Sequence, residues 1–172
     1  MEEALKAIEY HNVSTIQIIF NMFRYKPYEE FFSLAREKNI GIIVRVPLAS
    51  GMLTGKFDKD STFSKHDHRF FNRHGMAFDK GETFSGVDYE TGLKAVEELK
   101  KIFPDHPNLA PVALRWILMF DEVSCVIPGA SKPEHLYSNI EASELPPLTE
   151  NEMEDVKKIY DKYFRKEIYH LW

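Results

Sequence analysis

The sequence predicts an α/β fold that forms part of a (β/α)8 barrel, and three observations lead to this prediction. Short apolar runs rich in β-branched residues occur at 15–20, 40–46 and 124–127, and their length is typical of buried strands. Segments with helical apolar spacing separate these runs, which implies parallel pairing with right-handed crossovers. Three parallel strands alone leave two unpaired edges, and a closed barrel of about eight strands removes such edges.

Helices are predicted where apolar residues recur on one face, over 2–10, from Pro27 to Asn39, over 89–103 and over 109–120. Two S/T-x-x-E capping-box patterns predict the starts of two further helices, at Ser131–Glu134 and Thr149–Glu152. The second of these is a terminal helix beyond the last strand. We therefore interpret residues 1–172 as one incomplete domain of three βα units plus a terminal helix.

Residues 48–88 form a long polar and aromatic stretch without helical or strand periodicity. Loops of this length are usually functional or disordered. Its aromatic content, which includes Phe63, Phe70, Phe71, Phe78 and Phe84, favours a packed loop, and its place directly after a strand puts it on the active face of a barrel.

Composition excludes several classes of function. The net charge is -5, from 27 acidic and 22 basic residues, which does not favour nucleic acid or an anionic membrane as partner. There is one cysteine, Cys125, so no disulfide can form within the chain. His66, His68 and His74 match no zinc spacing, and we predict no metal site. We expect a soluble cytoplasmic protein.

A glycine-rich turn, Pro47–Lys56, follows the second predicted strand. Small residues let a backbone approach a ligand closely, and loops after barrel strands lie on the active face. An ordinary tight turn is an equally good interpretation of this spacing.

A strand, a glycine turn and a helix start follow one another over Val126–Asn139. Helix amino termini bind phosphate through free N–H groups and the helix dipole, and Lys132 would add a cation. The alternative is that Ser131 only caps the helix while Lys132 is solvated. Both interpretations are compatible.

Polar residues interrupt the apolar strands. Gln17 and Asn21 would share a face of the first strand, and Arg45 lies near the carboxyl end of the second. Buried polar groups need partners. The partner could be a ligand amide or ring, or a neighbouring carboxylate, and the sequence leaves both open.

Five segments together resemble the aldo-keto reductase superfamily, in order and over nearly the whole chain: QIIFNMFR (17–24), GIIVRVPLASGMLTGKF (41–57), DHRFFNRHG (67–75), ALRWILMFDEVSCVIPGASKPEHLYSN (113–139) and LPPLT (145–149). Bacterial stress-protein-like and potassium-channel β-subunit-like members look most similar. The resemblance implies a TIM barrel, of which this chain would be the C-terminal three βα units, and NADPH-dependent reduction of aldehydes or ketones to alcohols.

The resemblance also implies contacts to NADP(H). Gln17 looks like the glutamine that holds the nicotinamide carboxamide. Arg45 stands where many members stack an aromatic ring on nicotinamide, and a planar guanidinium could stack similarly. Val46 replaces a common serine. The loop along the pyrophosphate and its basic residues would be Leu48, Ala49, Ser50, Gly51, Lys56 and Arg69.

The adenosine end of NADP(H) would lie after the last strand. The residues that match the 2′-phosphate site are Gly129, Ser131 and Lys132. Asn139 matches the asparagine that binds adenine. His135 stands where other members have Arg or Gln, and Ser138 replaces a common Glu. These two departures leave the preference between NADP(H) and NAD(H) open.

The family's catalytic residues are a tyrosine acid, tuned by lysine and aspartate, and a histidine, all from the first half of the barrel. No tyrosine here has the matching context, so we predict no catalytic residue. The first hypothesis is a fragment that is inactive without the missing N-terminal half. The second is a non-catalytic nucleotide-binding or oligomerising module. Either predicts self-association or instability of the isolated chain.

Overall fold

The computed structural model describes residues 1–171. Three strands, β1 (Thr15–Ile19), β2 (Gly41–Arg45) and β3 (Val123–Val126), form one sheet in the order β1-β2-β3. Both pairings are parallel, as the alternation of strands and helices predicts. β3 begins and ends one residue earlier than the apolar run 124–127.

Residues 1–171 contain eight α-helical segments: α1 (Glu2–Ala7), α2 (Ser33–Glu37), α3 (His68–Phe71), α4 (Tyr89–Ile102), α5 (Ala110–Ile117), α6 (Pro133–Glu144), α7 (Glu150–Tyr163) and α8 (Arg165–Ile168). A π-helical turn, Tyr28–Phe32, leads into α2. The 3₁₀ turns are Ala49–Thr54, Lys80–Glu82, Phe84–Gly86 and Tyr169–Leu171. None of the helices within residues 1–171 combines the length and the apolar character needed to cross a membrane.

The two capping-box predictions have opposite outcomes. At α7 the box is confirmed, because the Thr149 N–H donates to the Glu152 carboxylate (2.7 Å) and the Glu152 N–H donates to Thr149 Oγ1 (3.3 Å). The prediction at Ser131 is wrong, since α6 begins at Pro133 and has no side-chain cap. The residue before a proline avoids the helical region. Lys132 is accordingly extended (φ -147°, ψ 153°), and the helix start moves two residues along.

The core lies between one face of the sheet and the helices. Ile18, Ile42 and Val44 on that face are buried. Aromatic contacts then connect the elements: Phe20 stacks on Trp116 of α5, with ring centroids 5.0 Å apart. α5 is buried along the face that its apolar spacing predicts, which includes Val112, Ala113, Trp116 and Ile117.

The second face of the sheet is open. Gln17, Ile43 and Cys125 are register partners across the three strands, so they share this face, and both Gln17 and Cys125 are exposed. The prediction of fully buried strands is therefore wrong for this face. The physical reason is that residues 1–171 cover this face only at its carboxyl end, where Ile19 is 2% exposed, and that β1 and β3 each keep an unpaired edge within this range.

The long loop 48–88 is packed at its two ends and open in its middle. Phe63 contacts Phe57 and Phe84, with ring centroids 5.2 and 5.8 Å apart. In contrast, three other phenylalanines of the loop are between 41% and 53% exposed, namely Phe70, Phe71 and Phe78. The prediction of a packed loop is therefore confirmed for the two ends of the loop and not for its middle.

Candidate functional site

A cleft of about 1170 Å³ opens at the carboxyl ends of β2 and β3. Its walls are the turn after β2 (46–57), the segment 66–71, and the turn after β3 with the first half of α6. Parallel strands end at the same edge of a sheet, so turns that are about eighty residues apart in the chain face each other there. This volume is sufficient for a ligand larger than a typical drug.

Eleven of the fifteen predicted cofactor residues line this cleft: Val46, Leu48, Ser50, Gly51, Lys56, Arg69, Gly129, Ser131, His135, Ser138 and Asn139. The two glycine-containing turns found in the sequence therefore belong to one site. Their roles toward a cofactor remain predictions.

The other four residues lie outside the lining of the cleft. Gln17 and Arg45 are on the open face of the sheet, where Ile43 pairs with Gln17 and Arg45 follows two residues later. Ala49 is completely buried, so its side chain cannot reach a ligand. Lys132 is exposed directly before α6.

The turn after β2 has an unusual backbone. Val46, Ala49 and Ser50 have φ values of 51°, 47° and 57°, which place them in the left-handed region. That region is uncommon for residues other than glycine, and it is an outlier for a β-branched residue such as Val46. Such strain persists only where the surroundings hold it, and it is concentrated at functional sites. Gly51, at φ 94°, requires no such support.

The end of the long loop holds this turn in place. Ser50 Oγ donates to the Glu82 carbonyl (3.2 Å) and accepts from the Phe84 N–H (3.0 Å). The buried Asn21 amide donates to the Val46 carbonyl (2.9 Å) and to Ser85 Oγ (2.7 Å). Asn21 thus has a structural role, which sequence reasoning could not separate from ligand binding.

Arg45 has the neighbouring carboxylate that the sequence left open. Its Nη1 lies 2.5 Å from Glu82 Oε2, and both side chains are about a third exposed, at 32% and 29%. Glu82 also lines the cleft. Sequence reasoning missed Glu82, because it lies in the stretch without periodicity and 37 residues from its partner.

Arg69 lies beside the glycine turn. Its Nη1 is 3.7 Å from the position that a Cβ on Gly51 would occupy, and its guanidinium lies over the Phe63 ring at 4.7 Å. Asp67 accepts from both Nε (2.9 Å) and Nη2 (2.5 Å) of Arg69, which lowers the pKa of Asp67 to about 2. Asp67 was missed, although its spacing before α3 is typical of an N-cap.

The start of α6 forms the opposite wall. His135 Nδ1 lies 3.3 Å from Ser131 Oγ, and Ser138 Oγ accepts from Asn108 Nδ2 (3.1 Å). A Cβ added to Gly129 would meet nothing within 4 Å, so the cleft is open above it. Asn108 was missed, since nothing in its local pattern points to α6.

Histidine 68, by contrast, packs within the loop. Its Nδ1 lies 3.1 Å from Thr83 Oγ1. Within residues 1–171 there is no group of three His, Cys, Asp or Glu side chains arranged to hold a metal ion.

The cleft fits a ligand with phosphate groups. Lys56 supplies a cation on one wall, where Arg69 is paired with Asp67, and α6 presents its positive dipole end on the other, beside Lys132. Gly51 and Gly129 leave the backbone accessible between them. The chemistry of this donor set matches a phosphorylated dinucleotide.

Comparison with known proteins agrees with this geometry. The model of the aldo/keto reductase family matches residues 1–161. An aldo-keto reductase of Strobilurus tenacellus is 31% identical over 157 residues, which are 88% of this chain and 44% of that protein. A probable voltage-gated potassium channel subunit beta of Arabidopsis thaliana is 31% identical over 75% of this chain and 38% of its own length. An aldo-keto reductase [NADP(+)] of Schizosaccharomyces pombe is 23% identical over 91% and 44%.

A solved structure gives the same result for the fold. The glycerol dehydrogenase of Gluconobacter oxydans superposes with a TM-score of 0.68 and 26% identity, over 87% of this chain and 42% of that one. The chain spans less than half the length of these relatives. The resemblance seen in the sequence is thus confirmed, and the chain belongs to the aldo/keto reductase family.

Proposed function

We propose that this chain is the cofactor-binding part of an NADP(H)-dependent oxidoreductase that reduces aldehydes or ketones. The observation that carries the proposal is the single cleft shared by the turn after β2 and the turn before α6. The relative from Schizosaccharomyces pombe, whose name includes NADP(+), supports the choice of cofactor. A cytoplasmic location belongs to the same proposal, since a single cysteine suits a reducing compartment.

Residues in and beside the cleft would contact different parts of the cofactor. Lys56 and Arg69 offset the charge of the pyrophosphate, and Ser131 and Lys132 contact the 2′-phosphate at the start of α6. The amide of Gln17, on the open face, holds the carboxamide of the nicotinamide. When bound, NADPH supplies the hydride.

We propose that the sheet is the C-terminal three βα units of a TIM barrel. The open face then becomes part of the barrel interior, and the free edges of β1 and β3 pair with the remaining strands. Those strands would bring the Asp, Tyr, Lys and His of the family. No tyrosine of residues 1–172 matches the context of this tetrad, so we propose that these residues by themselves do not turn over a substrate.

Dinucleotide binding by the purified chain tests the cofactor assignment. Titration calorimetry should show binding of NADPH, and Lys132→Ala should weaken it about tenfold, the order expected for a charge-assisted hydrogen bond to phosphate. Binding of NADH should change much less. Lys6→Ala in α1, away from the cleft, is the matched control. A chain that binds neither dinucleotide would refute the proposal.

Turnover tests the assignment of inactivity. Absorbance at the NADPH band should not fall when the chain is mixed with NADPH and an aldehyde panel. Adding a polypeptide that supplies the first five strands of a relative should restore oxidation of NADPH. Consumption of NADPH by the chain alone would contradict the assignment.

The open sheet face also favours a second function, a non-catalytic nucleotide-binding or oligomerising module. In that case a second copy covers the face formed by Gln17, Ile43 and Cys125. The complementation experiment separates the two functions, because a module of this kind would gain no turnover from the added strands.

A further inference from the structure

One ion pair connects the open sheet face to the cleft. Arg45 ends β2 on the face that also carries Gln17, and Glu82, which lines the cleft, accepts from its guanidinium at 2.5 Å. The pair is therefore at the boundary between the two surfaces. A planar group that contacts Gln17 and also reaches the cleft would lie beside this ion pair.

The backbone of the turn that carries Glu82 is held by hydrogen bonds in which its carboxylate takes no part. The Glu82 carbonyl accepts from Ser50 Oγ, and the neighbouring Phe84 N–H donates to the same hydroxyl. Asp79 Oδ1 accepts from the Gly81 N–H at 2.7 Å. These bonds fix the main chain of the Lys80–Glu82 turn, so replacing the Glu82 side chain leaves them in place. Its charge also opposes the effect of burial on the Arg24 guanidinium.

The role that we consider for the Glu82 side chain depends on its negative charge. A guanidinium is flat and can lie against a planar ring, but it carries a permanent positive charge. The nicotinamide ring is cationic when oxidised and neutral when reduced. An unpaired Arg45 would therefore repel the oxidised ring and not the reduced one. A carboxylate 2.5 Å from the guanidinium removes this difference.

We propose that Glu82 is a positioning residue that holds the Arg45 guanidinium beside the nicotinamide and sets which redox state of the cofactor the cleft prefers. This inference rests on the proposed function, because it requires a nicotinamide on the open face. It assigns to the long loop a part in cofactor discrimination as well as in holding the turn after β2.

The test compares NADP+ and NADPH binding to the full 172-residue chain and to Glu82→Gln. The variant removes the charge and keeps the size and the backbone bonds. Since both side chains are about a third exposed, the solvent-screened limit of Coulomb's law applies, and the ratio Kd(NADP+)/Kd(NADPH) should rise about fivefold. Titration calorimetry measures both constants.

Two further variants make the test specific to the pair. Glu82→Asp keeps the charge and should largely restore the wild-type ratio. The double variant Arg45→Gln/Glu82→Gln removes both charges, and its ratio should return to within about twofold of wild type, as a coupled pair requires. Glu134→Gln, which removes another carboxylate lining the cleft, should change both affinities by the same factor.

The outcomes separate the two proposals. Binding of both dinucleotides by the wild-type chain with an unchanged ratio in Glu82→Gln overturns the role of Glu82 and leaves the cofactor assignment in place. A wild-type chain that binds neither dinucleotide overturns the cofactor assignment and this inference with it. Thermal melting of each variant shows whether a lost affinity reflects lost folding.

Discussion

At the scale of single residues, a buried arginine lies under the end of the long loop. Arg24 is only 3% exposed, and burial lowers its pKa to about 10, an effect that the nearby Asp79 opposes. Its guanidinium lies against Gly81 so closely that a Cβ on this glycine would be 2.2 Å from Nη2. The absence of a side chain at Gly81 is thus a packing requirement.

Gly81→Ala should consequently destabilise the protein by about 1–3 kcal/mol, because the added methyl must displace a buried guanidinium or the loop backbone. Urea unfolding gives the free energy directly. Gly129→Ala is the matched control, since nothing lies within 4 Å of its Cβ, and it should change stability by less than about 0.5 kcal/mol. Equal effects of the two substitutions would contradict this packing argument.

The Asp67–Arg69 pair makes stability depend on pH. Hydrogen bonds from Arg69 lower the pKa of Asp67 to about 2 in the folded state, against about 3.9 when unfolded. A lowered carboxyl pKa contributes stability that is present above about pH 4 and is lost as the pH falls toward 2.

Asp67→Asn should therefore lower the free energy of unfolding by about 1 kcal/mol at pH 7, a value reduced for solvent screening because the carboxylate is 22% exposed. Below about pH 1, where Asp67 is protonated in the folded state as well, the variant and the wild type should be equally stable. Asparagine still caps α3, so the comparison isolates the charge. A difference that stays constant between pH 7 and pH 2 would show that the ion pair is not its source.

At the scale of elements, two segments that share the S/T-x-x-E pattern have different helix starts. Thr149 caps α7 through a reciprocal pair of hydrogen bonds, whereas Ser131 precedes an extended Lys132 and contacts His135 instead. Pro133 makes the difference, because it excludes the preceding residue from the helix. This leaves Ser131 directed to the cleft rather than to the helix end.

Thr149→Ala should cost about 1 kcal/mol of stability, the usual loss for an N-cap. Ser131→Ala should cost close to nothing, although both residues begin an S/T-x-x-E pattern. Denaturant midpoints of the two variants, measured side by side, check the prediction. A loss for Ser131→Ala as large as that for Thr149→Ala would mean that Ser131 does cap α6.

At the scale of the whole molecule, the sheet has one covered face and one open face. Exposed apolar side chains also occur on α6, where Leu136, Tyr137 and Ile140 are 53%, 71% and 51% exposed. Exposed apolar patches of this kind mark interaction surfaces, and free strand edges promote pairing with other chains.

We expect the isolated chain to self-associate through the open face of the sheet. Light scattering should report a mass above that of one 20.1 kDa chain, and Cys125→Lys on the open face should shift the mass toward the monomer. Leu118→Lys, at the exposed residue that directly follows α5, is the control and should leave association unchanged. A wild-type chain that is monomeric at high concentration would contradict the prediction.

Local patterns in the sequence were sufficient for the three strands, the longer helices and their order, but not for the short helices α3 and α8. The apolar runs around Ile18, Val44 and Val126 predict strands, and alternation with helices predicts parallel pairing, because hydrophobic period and chain order are properties of neighbouring residues. The same reasoning located both turns of the cleft, and family resemblance connected them.

Only the tertiary structure decided which partners the polar residues have. Arg45 meets Glu82, Asn21 meets Ser85, and Ser138 meets Asn108, each over 30 to 64 residues of chain. The first two pairs depend on how the long loop folds over the strand ends, and the third on how α6 packs beside the start of α5. No periodic pattern encodes either arrangement. The sequence likewise could not predict that one face of the sheet is open. A strand sequence shows which residues are apolar, but not whether another layer covers them.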